Sequence, residues 1–258
     1  MRILPWTAGE GKPGVQVIVV GNTHAARTVF AGGSEATTRQ PTADLCAGDV
    51  AALDLRPDLD TVVVSVVPPA DRILAAACPR AGFLTAEEAP LPIRYETPES
   101  LGADRVANAL AALALYGAPV VIADCGTATT LTLVDASGAL AGGAIAPGLG
   151  TCIAAVRTHT PHLPEFPVAW PESPLGRTTV ESLQVGLLRG HAALIRELAA
   201  GMAPGARLVL TGGWSPLLAE RVGAVRHGNL TAWGGKVYWE SCIRRNEREI
   251  DDTDTYGG

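Results

Sequence analysis

The sequence predicts an α/β protein of two similar lobes with mixed sheets flanked by helices and a cleft between them. Three observations lead there. The chain has 258 residues, 47% hydrophobic and 18% charged, apolar enough for two modest cores at the usual domain size of about 100 to 150 residues. Apolar strand runs alternate with helical stripes. One pattern, an apolar strand that breaks at a glycine turn and resumes as a second strand, occurs in each half, as "VIVVGNTHAARTVFAGG" and "VIADCGTATTLTLVDASG". This repeat assigns residues 1–117 to one lobe and 118–258 to the other.

In chain order, residues 1–14 read as a loose lead-in. "VQVIVV" and "ARTVFAG" form a hairpin around 21–23. "TVVVSVVPPA" is a continuous apolar strand over 61–67, stopped by Pro68 and Pro69, and it suits the centre of a sheet covered on both faces. A helix is expected from Asp71 to about Ala77. "APLPIRYETPESLG" is proline-rich and irregular and leads into a helix that starts near Asp104. Residues 106–123 are apolar for about the length of a membrane span, ~20 residues. Asn108, Gly117 and Pro119 interrupt them, and "RVANALAALALY" followed by "PVVIAD" parses as helix, turn, strand. Two or three strands, turning at 124–127 and 135–138, then lead to a glycine-rich bend. From Thr179, the residues Val180, Leu183, Leu187, Leu194 and Leu198 form a helical stripe with Thr178 or Thr179 as its cap. "ARLVLTGGW" is a strand closing in a glycine turn. The tail over 244–258, "RRNEREIDDTDTYGG", is too polar to pack and is expected to fray.

Composition removes several functions. The net charge of −6 is spread along the chain, and no run of Lys or Arg could release counterions from a nucleic acid. Cys46, Cys78, Cys125, Cys152 and Cys242 are odd in number and form no CxxC pair, which argues against zinc and a disulfide framework and for a reducing cytoplasm. The N-terminal stretch lacks the apolar run of a signal peptide.

Glycine lets backbone N–H groups point into a loop, and Thr or Asn adds a side-chain hydrogen bond, so Gly21, Asn22 and Thr23 in one hairpin and Gly126 and Thr127 in the other suit phosphate. Either set alone is also ordinary hairpin chemistry. Asp124, at a strand end, could hold a metal ion beside a triphosphate or simply form a turn. Asp104 could take a hydroxyl proton while Arg105 binds an acidic substrate, or could be a helix N-cap. Gly212 and Gly213 either make a strand-end turn or let an adenine ring lie against backbone. His159 and His162 are three apart with no third ligand nearby and read as loop histidines or substrate contacts.

Together, "VGNTHAARTVF", "SVVPP", "PESLGADRVANALAA", "IADCGTATTLTLVDASGALAGGAIAPGL", "THTPHLP", "GRTTVESLQVGLLRG" and "LTGGW" resemble the type III pantothenate kinases of the acetate kinase, sugar kinase, Hsp70 and actin superfamily. The resemblance implies two ribonuclease H-like (actin-like ATPase) lobes and a cytoplasmic homodimer. It implies transfer of the ATP γ-phosphate to the pantothenate hydroxyl, giving 4'-phosphopantothenate and opening coenzyme A biosynthesis. It also implies that Asp104 is the general base and that Gly102, Arg105 and Thr179 bind pantothenate. Gly21, Asn22, Thr23, Gly126 and Thr127 would meet phosphate, Gly212 and Gly213 the adenosine. Asp124 would bind a monovalent cation, K+ or NH4+, with Mg2+ accompanying ATP. The family's first motif is usually DxGNT, and its Asp falls on Val19 here. An active kinase with altered metal handling is the leading expectation. The alternatives are a non-catalytic binding or regulatory homologue and a kinase for another small hydroxy acid.

Overall fold

β-Branched residues fill β1 (Gly14–Val20), which is buried on both faces. The structure, a computed structural model, describes residues 14–254, with side chains from 14 to 242. Of the lead-in expected over 1–14, Gly14 already belongs to β1, while residues 1–13 and the tail's last four residues lie outside the described residues. β1 pairs antiparallel with β2 (His24–Ala31) and parallel with β4 (Asp60–Ser65). With β3 (Ser34–Pro41) and β5 (Gly82–Phe83), these strands form a five-stranded sheet in the order β3-β2-β1-β4-β5. Helices α1 (Thr42–Cys46) and α2 (Pro68–Ala77) cover one face, where Leu45 and Leu74 join Ile18, Val20 and Val63 in a core.

The opposite face receives α8 (Leu230–Asp254), against which α3 (Ala103–Tyr116) packs. Two glycines allow α8 to seat there. A Cβ on Gly234 would fall 2.0 Å from the Ala107 carbonyl oxygen, and one on Gly235 would fall 2.4 Å from Val17. Thr231 also donates to Asn108 Oδ1 at 2.9 Å, and the Trp239 indole donates to Asp60 at 2.8 Å.

A second sheet contains β6 (Val120–Cys125), β7 (Ala128–Val134), β8 (Leu140–Pro147), β9 (Arg207–Thr211) and β10 (Val225–Arg226). Its order is β10-β9-β6-β7-β8. Read from the β8 edge, that order repeats β3-β2-β1-β4-β5, with the antiparallel and parallel pairings in the same places. Both sheets are therefore ribonuclease H-like. Around the second lie α4 (Leu149–His159), α5 (Thr179–Gln184), a π-helical turn (Val185–Arg189), α6 (Gly190–Met202) and α7 (Ser215–Val222). Its core gathers Val121, Leu131, Leu188, Ile195, Leu210 and Leu218.

The chain divides into two units, one running to Ala114 and resuming at Leu230, the other spanning Leu115–Asn229. The expected 1–117 and 118–258 division thus differs in its last segment, because α8 packs on the first sheet. Other differences have local causes. β3 escapes an apolar-run search because it is an edge strand of exposed polar residues, which protects it from pairing with other chains. α2 starts at Pro68 rather than Asp71, since proline suits the first helical turn, where no N–H is needed. The glycine-rich bend passes directly into α4, so His159 ends a helix. The backbone of α8 remains helical from 244 to Asp254, where fraying was expected. Among the described residues, no helix is long and apolar enough to cross a membrane.

Candidate functional site

The first hairpin closes tightly: the Gly21 amide donates to the His24 carbonyl at 3.0 Å. Asn22 and Thr23 are exposed at its tip. Thr42, at the start of α1, braces the turn from below. Its hydroxyl donates to the Gly21 carbonyl at 2.6 Å and its amide to the Thr23 carbonyl at 3.0 Å. Val19 stands beside Ala26 on β2 and Val64 on β4. At the equivalent place in the second sheet, Asp124 stands beside Thr130 and Thr211. The exchange of a carboxylate for Val19 is thus matched by apolar residues on both neighbouring strands, whereas the second sheet is polar across the same row.

Asp104 approaches the first hairpin through β4. The Val66 amide, just past β4, donates to the Val20 carbonyl at 3.1 Å. Gly102 lies against the Val66 side chain, and a Cβ there would fall 2.6 Å from Asp104 Oδ1. The N-cap position of α3 belongs to Gly102, whose carbonyl accepts from Arg105 at 3.0 Å and Val106 at 3.3 Å. Asp104 is therefore not the cap but lies in the first turn, where its Oδ1 accepts from the Arg105 amide at 2.7 Å. Burial raises its pKa, opposed by that hydrogen bond and by the positive charge of Arg105. Arg105 is itself buried, with its guanidinium carbon 5.4 Å from the centre of the Tyr95 ring. Gly102, Asp104 and Arg105 thus form one group in the first unit.

The second hairpin is shorter by a residue: the Gly126 amide donates to the Ala128 carbonyl at 3.0 Å. The bend after β8 packs against it so closely that a Cβ on Gly148 would fall 2.2 Å from the Gly126 carbonyl. Gly148 and Thr151 both donate to the Thr127 carbonyl, at 3.0 and 2.7 Å. Gly212 comes equally close from the β9 side. Its φ is +84°, and a Cβ would fall 2.5 Å from Asp124 Oδ1 and 2.7 Å from the Cys125 carbonyl oxygen. Gly213 meets nothing within 4 Å. Asp124, Gly126, Thr127 and Gly212 therefore form a second group. Burial, reinforced by Asp124, pushes the Cys125 thiol up to about 12, which leaves it protonated and unreactive.

Thr179 is exposed at the first position of α5, and no described contact ties it to the Asp124 group. Thr178 is the cap, closing a capping box with Glu181. Among the described residues, no group of three or more His, Cys, Asp or Glu is placed to hold a metal ion, so His159 and His162 gather no zinc set. Sequence reasoning missed Thr42 and Thr151 because each acts through a fold contact that no local pattern announces. It also missed His191, buried at the start of α6 beside the π-helical turn, whose Nε2 lies 2.8 Å from the Thr129 hydroxyl. Burial lowers the pKa of His191.

Two ribonuclease H-like sheets of the same strand order, each with a glycine hairpin closing its first strand, define the class as a duplicated ribonuclease H-like α/β fold. Solved structures agree in fold. A conserved Baf family protein from Campylobacter jejuni superposes with a TM-score of 0.63 at 19% identity, covering 90% of this chain and 99% of that one. The ethanolamine utilization protein EutJ from Carboxydothermus hydrogenoformans gives 0.52 at 12% identity, covering 91% and 92%. Residues 16–201 match the model of the type III pantothenate kinase family, and the chain belongs to that family. The type III pantothenate kinase of Desulfosudis oleivorans is 38% identical over 194 residues, 70% of this chain and 76% of that one. That of Koribacter versatilis is 35% identical over 191 residues, 69% and 70% of the two chains. That of Moorella thermoacetica is 33% identical over 247 residues, 86% and 97% of the two chains.

Proposed function

We propose that the chain is an ATP-dependent pantothenate kinase in which Asp104 is the general base. Its setting carries the reading: a half-buried carboxylate held between Gly102 and the Arg105 amide, in a chain of this family. Asp104 takes the proton of the pantothenate hydroxyl as its oxygen bonds to the γ-phosphorus of ATP. The bond from that phosphorus to the β,γ-bridging oxygen breaks, and ADP leaves with the electron pair. Arg105 and Gly102 position the acceptor, with Thr179 contributing a further contact. The hairpins at 21–23 and 126–127 orient the phosphates, and Gly212 and Gly213 adjoin the adenosine.

The donor atoms bear on the ions. One carboxylate, Asp124, lies in a cradle that a side chain at position 212 would fill, which fits a singly charged cation such as K+ or NH4+ held with hairpin oxygens. With Val19, Ala26 and Val64 at the first strand end, magnesium would depend on ATP oxygens and water, as it can with few protein ligands. Bound this way, magnesium neutralises the charge of the phosphates during transfer. A homodimer in the cytoplasm completes the proposal, and the five cysteines, all free thiols, suit a reducing compartment.

Transfer from ATP to pantothenate, measured with magnesium and with or without potassium, tests the reading. Activity that Asp104→Asn abolishes is expected; a parent protein without transfer refutes it. The second reading, a non-catalytic homologue, is favoured by the apolar row at Val19 and predicts ligand binding without turnover.

A further inference from the structure

Residues 84–97 run irregularly from β5 to a single 3-10 turn (Pro98–Ser100), which leads into α3 with Gly102, Asp104 and Arg105. Long stretches without secondary structure are uncommon in compact units and often functional, and their order depends on the side chains that pin them. This one is pinned at both ends and once between. The Leu84 amide donates to the Val63 carbonyl at 2.9 Å and fixes its start. Near its far end the Tyr95 ring faces the Arg105 guanidinium, whose carbon lies 5.4 Å from the ring centre. Between them, the Tyr238 hydroxyl on α8 donates to Glu88 Oε2 at 2.8 Å. The Glu88 amide is in turn bound to Thr85 Oγ1 at 3.3 Å, so Glu88 is a fixed point of a folded turn.

The seating of α8 brings Tyr238 to this place. Gly234 and Gly235, which let the helix close on Ala107 and Val17, precede it by about one turn, and its neighbour Trp239 is tied to Asp60. Tyr238 is 2% exposed. Burial, with Cys242 and Glu88 beside it, pushes its hydroxyl above the ordinary tyrosine value, so it stays protonated and is the donor. A hydrogen bond to a carboxylate is stronger than one between neutral groups. We propose that Tyr238 is a positioning residue for the acceptor: through Glu88 it fixes the segment 88–95, so that Tyr95 lies against Arg105 and the guanidinium keeps the direction in which it meets the substrate carboxylate. This rests on the reading of Arg105 as an acceptor contact. Releasing Glu88 lengthens the free segment from 89–94 to 85–94, and the entropy lost in ordering it at each binding event grows. Asp104 takes its place from Gly102 and the first turn of α3, so the effect falls on acceptor binding and not on the proton transfer.

Tyr238→Phe keeps the ring and removes the hydroxyl. Equilibrium dialysis of pantothenate against the full chain reads acceptor binding, steady-state kinetics read transfer, and hydrogen exchange without ligand reads the order of the loop. The Kd and KM for pantothenate should rise by about tenfold, the equivalent of one charge-assisted hydrogen bond, with kcat and the KM for ATP unchanged. Exchange should accelerate across 86–95 and not in α3. Glu88→Ala should match Tyr238→Phe, and Glu88→Gln, which still accepts from the hydroxyl, should keep most of the affinity. The double variant Tyr238→Phe/Glu88→Ala should bind no more weakly than either single one, as for two groups acting through one contact. If Tyr238→Phe fails to fold, the Glu88 variants carry the test, because Glu88 lies outside the helices and the sheet. Parent-like pantothenate affinity in folded Tyr238→Phe or in Glu88→Ala overturns the proposal, as does a loss shared equally by kcat and the KM for ATP. A parent that binds pantothenate and transfers no phosphate refutes the kinase reading alone, and the dialysis still decides the role of Tyr238; a parent that binds none overturns both.

Discussion

Gly212→Ala separates the structural demand of the turn after β9 from any demand made by a ligand. At φ +84° an alanine pays the left-handed penalty, about 1–2 kcal/mol. Its Cβ would also lie 2.5 Å from Asp124 Oδ1 and 2.7 Å from the backbone of Cys125, far inside van der Waals contact. Relieving such overpacking costs typically ~1–3 kcal/mol. The sum centres on roughly 3 kcal/mol, equivalent to a melting temperature lower by about 6–12 °C for a chain of this size. Because the displaced atoms are the Asp124 carboxylate and the carbonyl that accepts from the Trp214 amide, ADP affinity should fall as well. Gly213 is the internal control: with no positive φ and nothing within 4 Å of its Cβ position, Gly213→Ala should stay within about 0.5 kcal/mol of the parent. Thermal and urea unfolding followed by circular dichroism measure both variants. Equal melting temperatures for the two would refute the reasoning. A Gly213→Ala protein of parental stability that has lost ADP would show that the second glycine is required by the ligand alone.

Four further predictions concern titration and metal use. Asp104→Asn should abolish transfer yet raise the melting temperature at neutral pH. Burial lifts the folded pKa of Asp104 above the unfolded value, so the folded state binds more protons between the two, and stability falls as pH rises through that window; a variant that melts lower at neutral pH contradicts this. The same raised pKa predicts that kcat/KM climbs with pH as Asp104 loses its proton, and a flat acid limb would remove it as the base. His191 has the opposite sign. Its folded pKa lies below 6.5, so the folded state binds fewer protons and stability is lost as pH falls below that value. His191→Gln should flatten that acid slope in melting curves. Val19→Asp should lower the magnesium concentration for half-maximal transfer by a few-fold, at about 1 kcal/mol of stability for a half-buried carboxylate beside Ala26 and Val64; an unchanged magnesium titration would show that the position does not reach the metal.

The elements legible in the sequence were those whose own residues dictate them. β1, β4 and β6 are runs of valine and isoleucine, and α3 carries its stripe of leucine and alanine. The duplicated hairpin was visible because a glycine turn between apolar runs has few other readings. The segments that escaped owe their structure to distant contacts. β3 has no apolar run and is a strand only because β2 lies alongside it. Gly234 and Gly235 look like helix breakers, yet they let α8 press against Ala107 and Val17, and this returns the chain to the first unit. The site followed the same rule. Asp104 and Asp124 could be singled out by type and position, whereas Thr42, Thr151 and His191 reach the hairpins from other elements. Asp104 as a cap was the natural local guess, and it fails because the preceding glycine takes that place.

The two sheets show why losing the strand-end carboxylate need not empty the first hairpin of chemistry. In the second unit, the polar row of Asp124, Thr130 and Thr211 puts charge directly at the strand ends, and Gly212 leaves room for it. In the first, Val19, Ala26 and Val64 make that row apolar, but Val66 continues from β4 to meet both Val20 and Gly102. The charged groups then arrive from the start of α3, as Asp104 and Arg105. A carboxylate at position 19 would be fixed to the strand, suited to orienting an ion. One in the first turn of a helix, partly desolvated and adjoining an arginine, is suited to exchanging a proton. On the function proposed above, proton transfer would depend on the α3 start and ion binding on the strand ends, so a substitution at position 19 would alter the second while leaving the groups for the first in place.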